Sequence, residues 1–188
     1  TSTFETMVLD ESWSDNSYIP GQEPEYVEAA RVSEQFFALL GTPMLHARAF
    51  MPQEYLRGSG RFAILSFPMW RDRFGADPSV VGQAVQLSER GAFTIVGVLP
   101  EGFELRVFNN RGTRPEPSLW LPKQGFEDFE LRARGRAGYW TVLGRLRPGV
   151  SMAQASAELD VLSEQLTREY PQTNRNVTAQ VLPLRTHL

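Results

Sequence analysis

The sequence predicts an α+β fold, and three observations carry that reading. Capped segments show apolar residues at helical spacing, short β-branched runs alternate elsewhere, and the two kinds of segment intermix without regular strand–helix alternation. With 188 residues, 41% of them hydrophobic, the chain is the size of one ordinary domain and can hold a core without metal or disulfide.

Taken in order, the first helix runs from an N-cap at Ser33 through Phe36, Phe37, Leu39 and Leu40 to Gly41, with Pro43 beyond. A strand follows at Arg61–Leu65. A second helix is predicted over Pro68–Phe74, with Ser66 before it and Gly75 ending it. Gln83–Leu87 and Phe93–Val98 flank Ser88-Glu89-Arg90-Gly91 and read as a hairpin. Val107–Ser118 and Gly125–Gly138 have no periodicity and read as loops. Trp140–Leu146 is a strand. After the Pro148-Gly149 turn, Ser151 and Gln154 form a capping box for a long helix. Its stripe is Met152, Ala155, Leu159, Leu162 and Leu166, and Pro171 stops it. Val177–Leu184 reads as the strand that completes a βαβ or split βαβ unit.

Composition excludes several functions. The 19 basic and 22 acidic residues give a net charge of −3, against a general nucleic-acid binder. Residues 1–30 carry seven acids and no lysine or arginine, whereas 106–147 is mostly basic; the two read as solvated faces that neutralise one another. No cysteine is present, so a thiolate zinc site or cysteine nucleophile is excluded. No run approaches the roughly 18–20 apolar residues of a membrane span. The opening residues show no basic region followed by an apolar one, so the chain reads as cytosolic or as a piece cut from a longer protein.

The search for chemistry names no catalytic, metal or cofactor-binding residue. The histidines, His46 and His187, lack metal-ligand spacing, and His46 reads as a loop residue beside Pro43. A G-x-S-x-G elbow and a Walker loop are both missing. Gly58-Ser59-Gly60 reads as a linker. Arg132, Arg134 and Arg136 could form a fork for an anion or lie on a solvated loop. Arginines and aromatics mix in the two aperiodic stretches, which makes Arg111, Arg114, Phe129, Arg132, Arg134 and Arg136 candidate partner contacts. The residues alone describe a soluble α+β binding or structural module.

A resemblance adds to this. Arg31-Val32-Ser33 through Phe36-Phe37 to Leu40-Gly41, then Arg48-Ala49-Phe50, looks like a "VS-x-x-FF-x-x-LG … GR-x-F" stretch. Ala63-Ile64-Leu65-Ser66 with Trp70, Arg73, Phe74 and Gly75 follows, then Asp77-Pro78-Ser79-Val80-Val81-Gly82 and Thr94 to Phe103. Leu119-Trp120-Leu121-Pro122, Gly144 to Ser151 and Glu169-Tyr170-Pro171 complete the order. Together these resemble the MacB-like periplasmic core domain of FtsX-type ABC-transporter permeases, over residues from about 25 to 184.

The resemblance implies a two-lobed domain outside the cytoplasmic membrane. A split βαβ lobe would take residues 1–16 and about 138–188, and an inserted mixed α/β lobe about 17–137. It implies a non-enzymatic role without cofactor, in which transmembrane segments of the same permease and a cytoplasmic ATPase subunit drive the domain against an unknown extracytoplasmic substrate or partner. A ligand-binding sensor that captures a small molecule or peptide is the alternative, and a hydrolase ranks last. Ala47 stands where the family has glycine, which puts a left-handed residue there in question. The family's first strand and much of its first helix are absent, so the chain reads as trimmed and its first lobe is expected to lack a strand.

Overall fold

A computed structural model describes residues 1–88, 90–105, 108–109, 112–113, 116–124, 140–175 and 177–184. The fold is α+β. Its elements are β1 (Phe4–Tyr18), β2 (Glu25–Val32), α1 (Phe36–Leu40), β3 (His46–Ala47), β4 (Phe62–Leu65), α2 (Phe67–Phe74), β5 (Ala84–Leu87), β6 (Gly91–Val98), β7 (Phe108–Asn109), β8 (Gly112–Thr113), β9 (Leu119–Pro122), β10 (Trp140–Leu146), α3 (Met152–Glu169) and α4 (Pro171–Asn174). Short 3₁₀ turns lie at Pro52–Tyr55 and Pro78–Val80.

Eight strands form one sheet in the order β10-β1-β2-β9-β4-β6-β3, and β5 bridges β6 back to β1. The pairings β1–β2, β2–β9, β9–β4, β4–β6, β6–β5 and β5–β1 therefore close a six-stranded ring. β10 and β3 extend it outside. Alternation assigns each strand's faces. Val27 and Ala29, Ala63 and Leu65, Val85 and Leu87, and Leu119 and Leu121 join Phe93 and Ile95 in one buried cluster inside the ring. Met69 and Trp70 of α2 pack into the same cluster.

The opposite face carries a second core. Val8, Ala30, Val32, Ile64, Val96, Trp120 and Leu143 are buried there beneath Phe36 and Phe37 of α1. Trp120 is its hub, with the rings of Phe36, Phe37 and Phe103 centred 5.5, 5.8 and 5.7 Å away. Aromatic pairs at such distances add about 0.5–1.5 kcal/mol each beyond their burial.

Local chemistry explains the helices that sequence anticipates. The Ser66 hydroxyl accepts from Met69 N, Pro68 sits in the first turn, and Gly75 (φ 62°) closes α2. Ser151 and Gln154 form the expected reciprocal box at the start of α3. The hairpin is also present, with Leu87 opposite Gly91.

Three expectations need correction, and a fourth falls outside the described residues. The residue before α1 is Gln35, held left-handed at φ 67°, and Ser33 instead closes a turn through its carbonyl with Phe36 N. Residues 108–109 and 112–113 pair as two short strands inside the expected 107–118 loop. Gly125–Gly138 lies outside the described residues. Val177–Leu184 forms no strand, and β10 pairs with β1 alone among the described residues. The physical reason lies in α3: of its stripe only Ala155 is buried, while Leu162 is 38% exposed. A helix that does not lie on the sheet cannot return the following chain beside β10. Accordingly, Leu162→Ala is expected to cost only about 1 kcal/mol or less, and Phe36→Ala about 3–5 kcal/mol. Urea unfolding of both variants checks this; equal losses would place the α3 stripe in a core.

Ala47 is left-handed after all, at φ 55°. The strain is held because β3 is pinned to β6, His46 opposite Val98 and Ala47 opposite Gly97. Gly97 permits this: a Cβ there would run into the Arg48 carbonyl. Gly97→Ala is therefore expected to destabilise by about 1–3 kcal/mol, as an overpacked backbone contact. Ala47→Gly is expected to be neutral or slightly stabilising, since relief of the strain is offset by a freer unfolded chain. Parallel thermal and urea melts distinguish the two.

Candidate functional site

The partner contacts expected from sequence, Arg111, Arg114, Phe129, Arg132, Arg134 and Arg136, all lie outside the described residues. The described residues hold two hollows and an ion pair on a buried carboxylate.

The first hollow opens at one end of the ring. β4 runs from Phe62 to Leu65 and then into α2, so α2 plugs the end where β4 finishes. At the other end, β4 begins beside the start of β6, and β9 and β2 both terminate. The hollow there is about 330 Å³, lined by Arg31, Arg61, Phe62, Arg90, Phe93, Leu121, Pro122 and Gln124.

Each arginine is positioned by the strand it flanks. Arg31 continues the inward face of β2 after Val27 and Ala29, and stands opposite Glu11 of β1 and Leu121 of β9. Arg61 precedes β4; its guanidinium lies 6.0 Å from the centre of the Phe93 ring and packs where a side chain at Gly91 would stand. Arg90 reaches Asp15, whose Oδ2 is 3.5 Å from Arg90 Nε. Asp15 is buried, and its Oδ1 accepts from the Ser88 hydroxyl at 2.6 Å and from Asn16 N at 2.8 Å. Gln124 seals one wall, its amide donating to the carbonyls of Glu54 and Gly60 and to the Ser59 hydroxyl.

The second hollow, about 240 Å³, lies where β4 enters α2 and is lined by Phe67, Pro68, Leu99, Phe103, Pro117 and Trp120 with Ser66, Glu116 and Ser118. It is mostly apolar. Glu116 accepts from Leu105 N at 2.8 Å, and the buried Trp120 indole N–H has no hydrogen-bond partner.

The ion pair is Arg48–Glu54, with the carboxylate buried and the guanidinium about one-third exposed. The Arg48 fork donates to both Glu54 oxygens, at 2.7 and 2.9 Å, and Met51 N donates at 2.8 Å. Burial alone would raise the Glu54 carboxyl, but the Arg48 fork and the Met51 N–H outweigh it and hold the group below its ordinary value. His46 is not in a loop but in β3, its ring edge-on to Trp70 at 4.8 Å. No cluster of metal-ligating side chains occurs among the described residues.

Sequence reasoning missed the first hollow because Arg31, Arg61 and Arg90 are about thirty residues apart and meet only when the ring closes. The available signal was the placement of Arg31 and Arg61 at the ends of apolar strand patterns.

The depressed Glu54 carboxyl fixes a pH dependence. Its stabilising share is fully present above the unfolded value near 4.5 and is lost as pH falls through the lower folded value. Glu54→Gln is expected to cost about 1–3 kcal/mol at pH 7, and urea melts at pH 7 and pH 3 should show the gap from the parent narrowing on acidification.

Solved structures share the fold. The fold is similar to a domain assigned to a permease protein from Porphyromonas gingivalis (TM-score 0.64, 16% identity, 92% of this chain and 69% of that one). It is also similar to the extracellular domain of the noncanonic ABC-type transporter YknZ from Gram-positive bacteria (0.62, 16%, 92% and 80%). A third is the periplasmic region of MacB from Actinobacillus actinomycetemcomitans (0.60, 15%, 95% and 79%). These show the fold. The sequence itself matches the MacB-like periplasmic core domain over residues 6–162, and the chain belongs to that family. No curated protein matches the sequence significantly. The chain is thus a periplasmic or extracellular domain of an ABC-type transporter permease, a class that works with transmembrane segments and an ATPase. No helix among the described residues is long and apolar enough to cross a membrane.

Proposed function

We propose that this domain is a non-enzymatic module that transmits ATPase-driven motion to a substrate or partner outside the membrane. The observation that carries this reading is the course of β1. Residues 2–3 are clamped to α3: Glu158 accepts from the backbone N–H and hydroxyl of both Ser2 and Thr3, and Arg147 Nε donates to the Ser2 carbonyl at 3.0 Å. From there one fifteen-residue strand pairs with β10, then β2, then β5. A displacement of α3 and β10 is therefore passed to the ring along continuous backbone rather than through a loop. In lobe terms, residues 1–16 and 138–188 would be the driven part, and 17–137 the part that meets the partner. The partner contacts at Arg111, Arg114, Phe129, Arg132, Arg134 and Arg136 belong to this proposal.

Hydrogen bonding from Thr3, with further bonds from Ser2, holds the Glu158 carboxyl down to about 2, so it is charged and accepting at any physiological pH. The side chain is on the surface, which separates coupling from folding. In the complete permease with its ATPase, Glu158→Ala is expected to leave expression and ATP hydrolysis unchanged and to reduce the transport-linked output. Parental output at equal expression would remove the clamp from the mechanism. The second reading, a ligand-binding sensor, is favoured by one observation, the arginine-lined mouth of the ring.

A further inference from the structure

We propose that the mouth of the ring is a binding site for an organic oxyanion, a carboxylate or phosphate carried on an apolar group. The argument starts from what the ring encloses. Five of its strands turn apolar side chains inward and α2 plugs one end, so the interior is a closed hydrophobic core. At the opposite end the inward positions change character: Arg31 succeeds Ala29 on β2, and Arg61 precedes Ala63 on β4. Barrel mouths are common ligand sites because side chains from several strands converge there while the walls stay rigid.

The lining has the composition such a ligand requires. Three guanidinium groups face the hollow from three different strand ends, and no carboxylate is among its described lining residues. Guanidinium forks bind carboxylate and phosphate oxygens bidentately. Phe62, Phe93, Leu121 and Pro122 supply the apolar wall on which the rest of the ligand would lie. The volume, about 330 Å³, is at the lower end of small-molecule sites and suits a single-ring or short-chain anion.

The positioning is also pre-set. Arg61 is held between the Phe93 ring and the bare backbone of Gly91, whose φ of 80° suits glycine. Arg90 is tied to Asp15, which Ser88 in turn fixes. Ordering these side chains in advance reduces the entropy lost on binding. This site does not depend on the motion-transmitting role, since it involves neither Glu158 nor α3.

The test uses the 188-residue chain in low-salt buffer, titrated calorimetrically with phenylacetate, phenyl phosphate, acetate and inorganic phosphate. Saturable binding of at least one aromatic anion is expected, weakened by added chloride because the attraction is electrostatic. Preference between phenylacetate and phenyl phosphate reveals which oxyanion the forks fit. Arg61→Gln and, separately, Arg31→Gln are expected to weaken binding about tenfold or more, the loss of a charge-assisted bond, while melting temperature without ligand stays at the parental value. If one variant fails to fold, the other decides. Absence of saturable binding by the parent, or parental affinity in a folded variant, overturns the proposal. Equal binding of acetate and phenylacetate, and of inorganic and phenyl phosphate, overturns the apolar half of it.

Discussion

The backbone hydrogen bonding of β1 is the constraint on which the other elements depend. A strand has two edges, and β1 uses both along overlapping parts of its length: β10 from Phe4 to Glu11 and β2 from Asp10 to Ser17, with β5 taking the last two residues. Without its far end the ring would open between β5 and β2, and the interior cluster would meet water. Without its near end β10 would have no described partner, and α3 would be tethered to nothing but its own turn. Each buried backbone group left unpaired costs free energy comparable to a lost hydrogen bond. A one-residue shift in register would exchange the inner and outer faces of β1 itself.

This element was the hardest to see in the sequence, and the reason is physical. β1 contains Asp10, Glu11, Ser12, Asp15, Asn16 and Ser17, a composition that disfavours strands on propensity alone. Its inward positions include Asp15 and Ser17, both buried, where alternation would call for apolar residues. Tertiary pairing supplies what propensity lacks: Asp15 finds Ser88 and Arg90, which arrive from β5 and its turn. β2 and β9 were missed for a related reason, since β9 is buried on both faces and shows no alternation. By contrast α2, α3 and the β5–β6 hairpin were legible because their signals are local, a cap, a box and a turn. The strand expected at 177–184 failed on the converse ground. Its pattern was local, but α3 does not return the chain to the outer edge of β10.

The motifs that mark the family turn out to be architectural rather than chemical. Phe36 and Phe37 close over Trp120, Phe50 packs beside Phe37, and Leu119–Pro122 is the strand that joins the two halves of the ring. Arg48 is spent on Glu54. The left-handed Ala47 before it is held because the bare Gly97 leaves room for the Arg48 carbonyl at close range. The turn is thus specified by the partner strand as much as by its own residue.

Arg48 and Arg61 show how one side chain acquires two uses from its surroundings. Arg48 lies beside a carboxylate that is itself buried, so its fork is saturated and its contribution is to stability. Arg61 lies near an aromatic face at the edge of a hollow, where the ring quadrupole attracts the cation without neutralising its charge. The buried Glu54 carboxylate makes the first a structural pair, and exposure leaves the second accessible to an incoming anion. Sequence spacing cannot separate the two cases, because Glu54 is near Arg48 in the chain whereas Phe93 reaches Arg61 only through the β4–β6 pairing. The distinction between scaffold and site in this domain is therefore set by strand register, and register is fixed when β1 closes the ring.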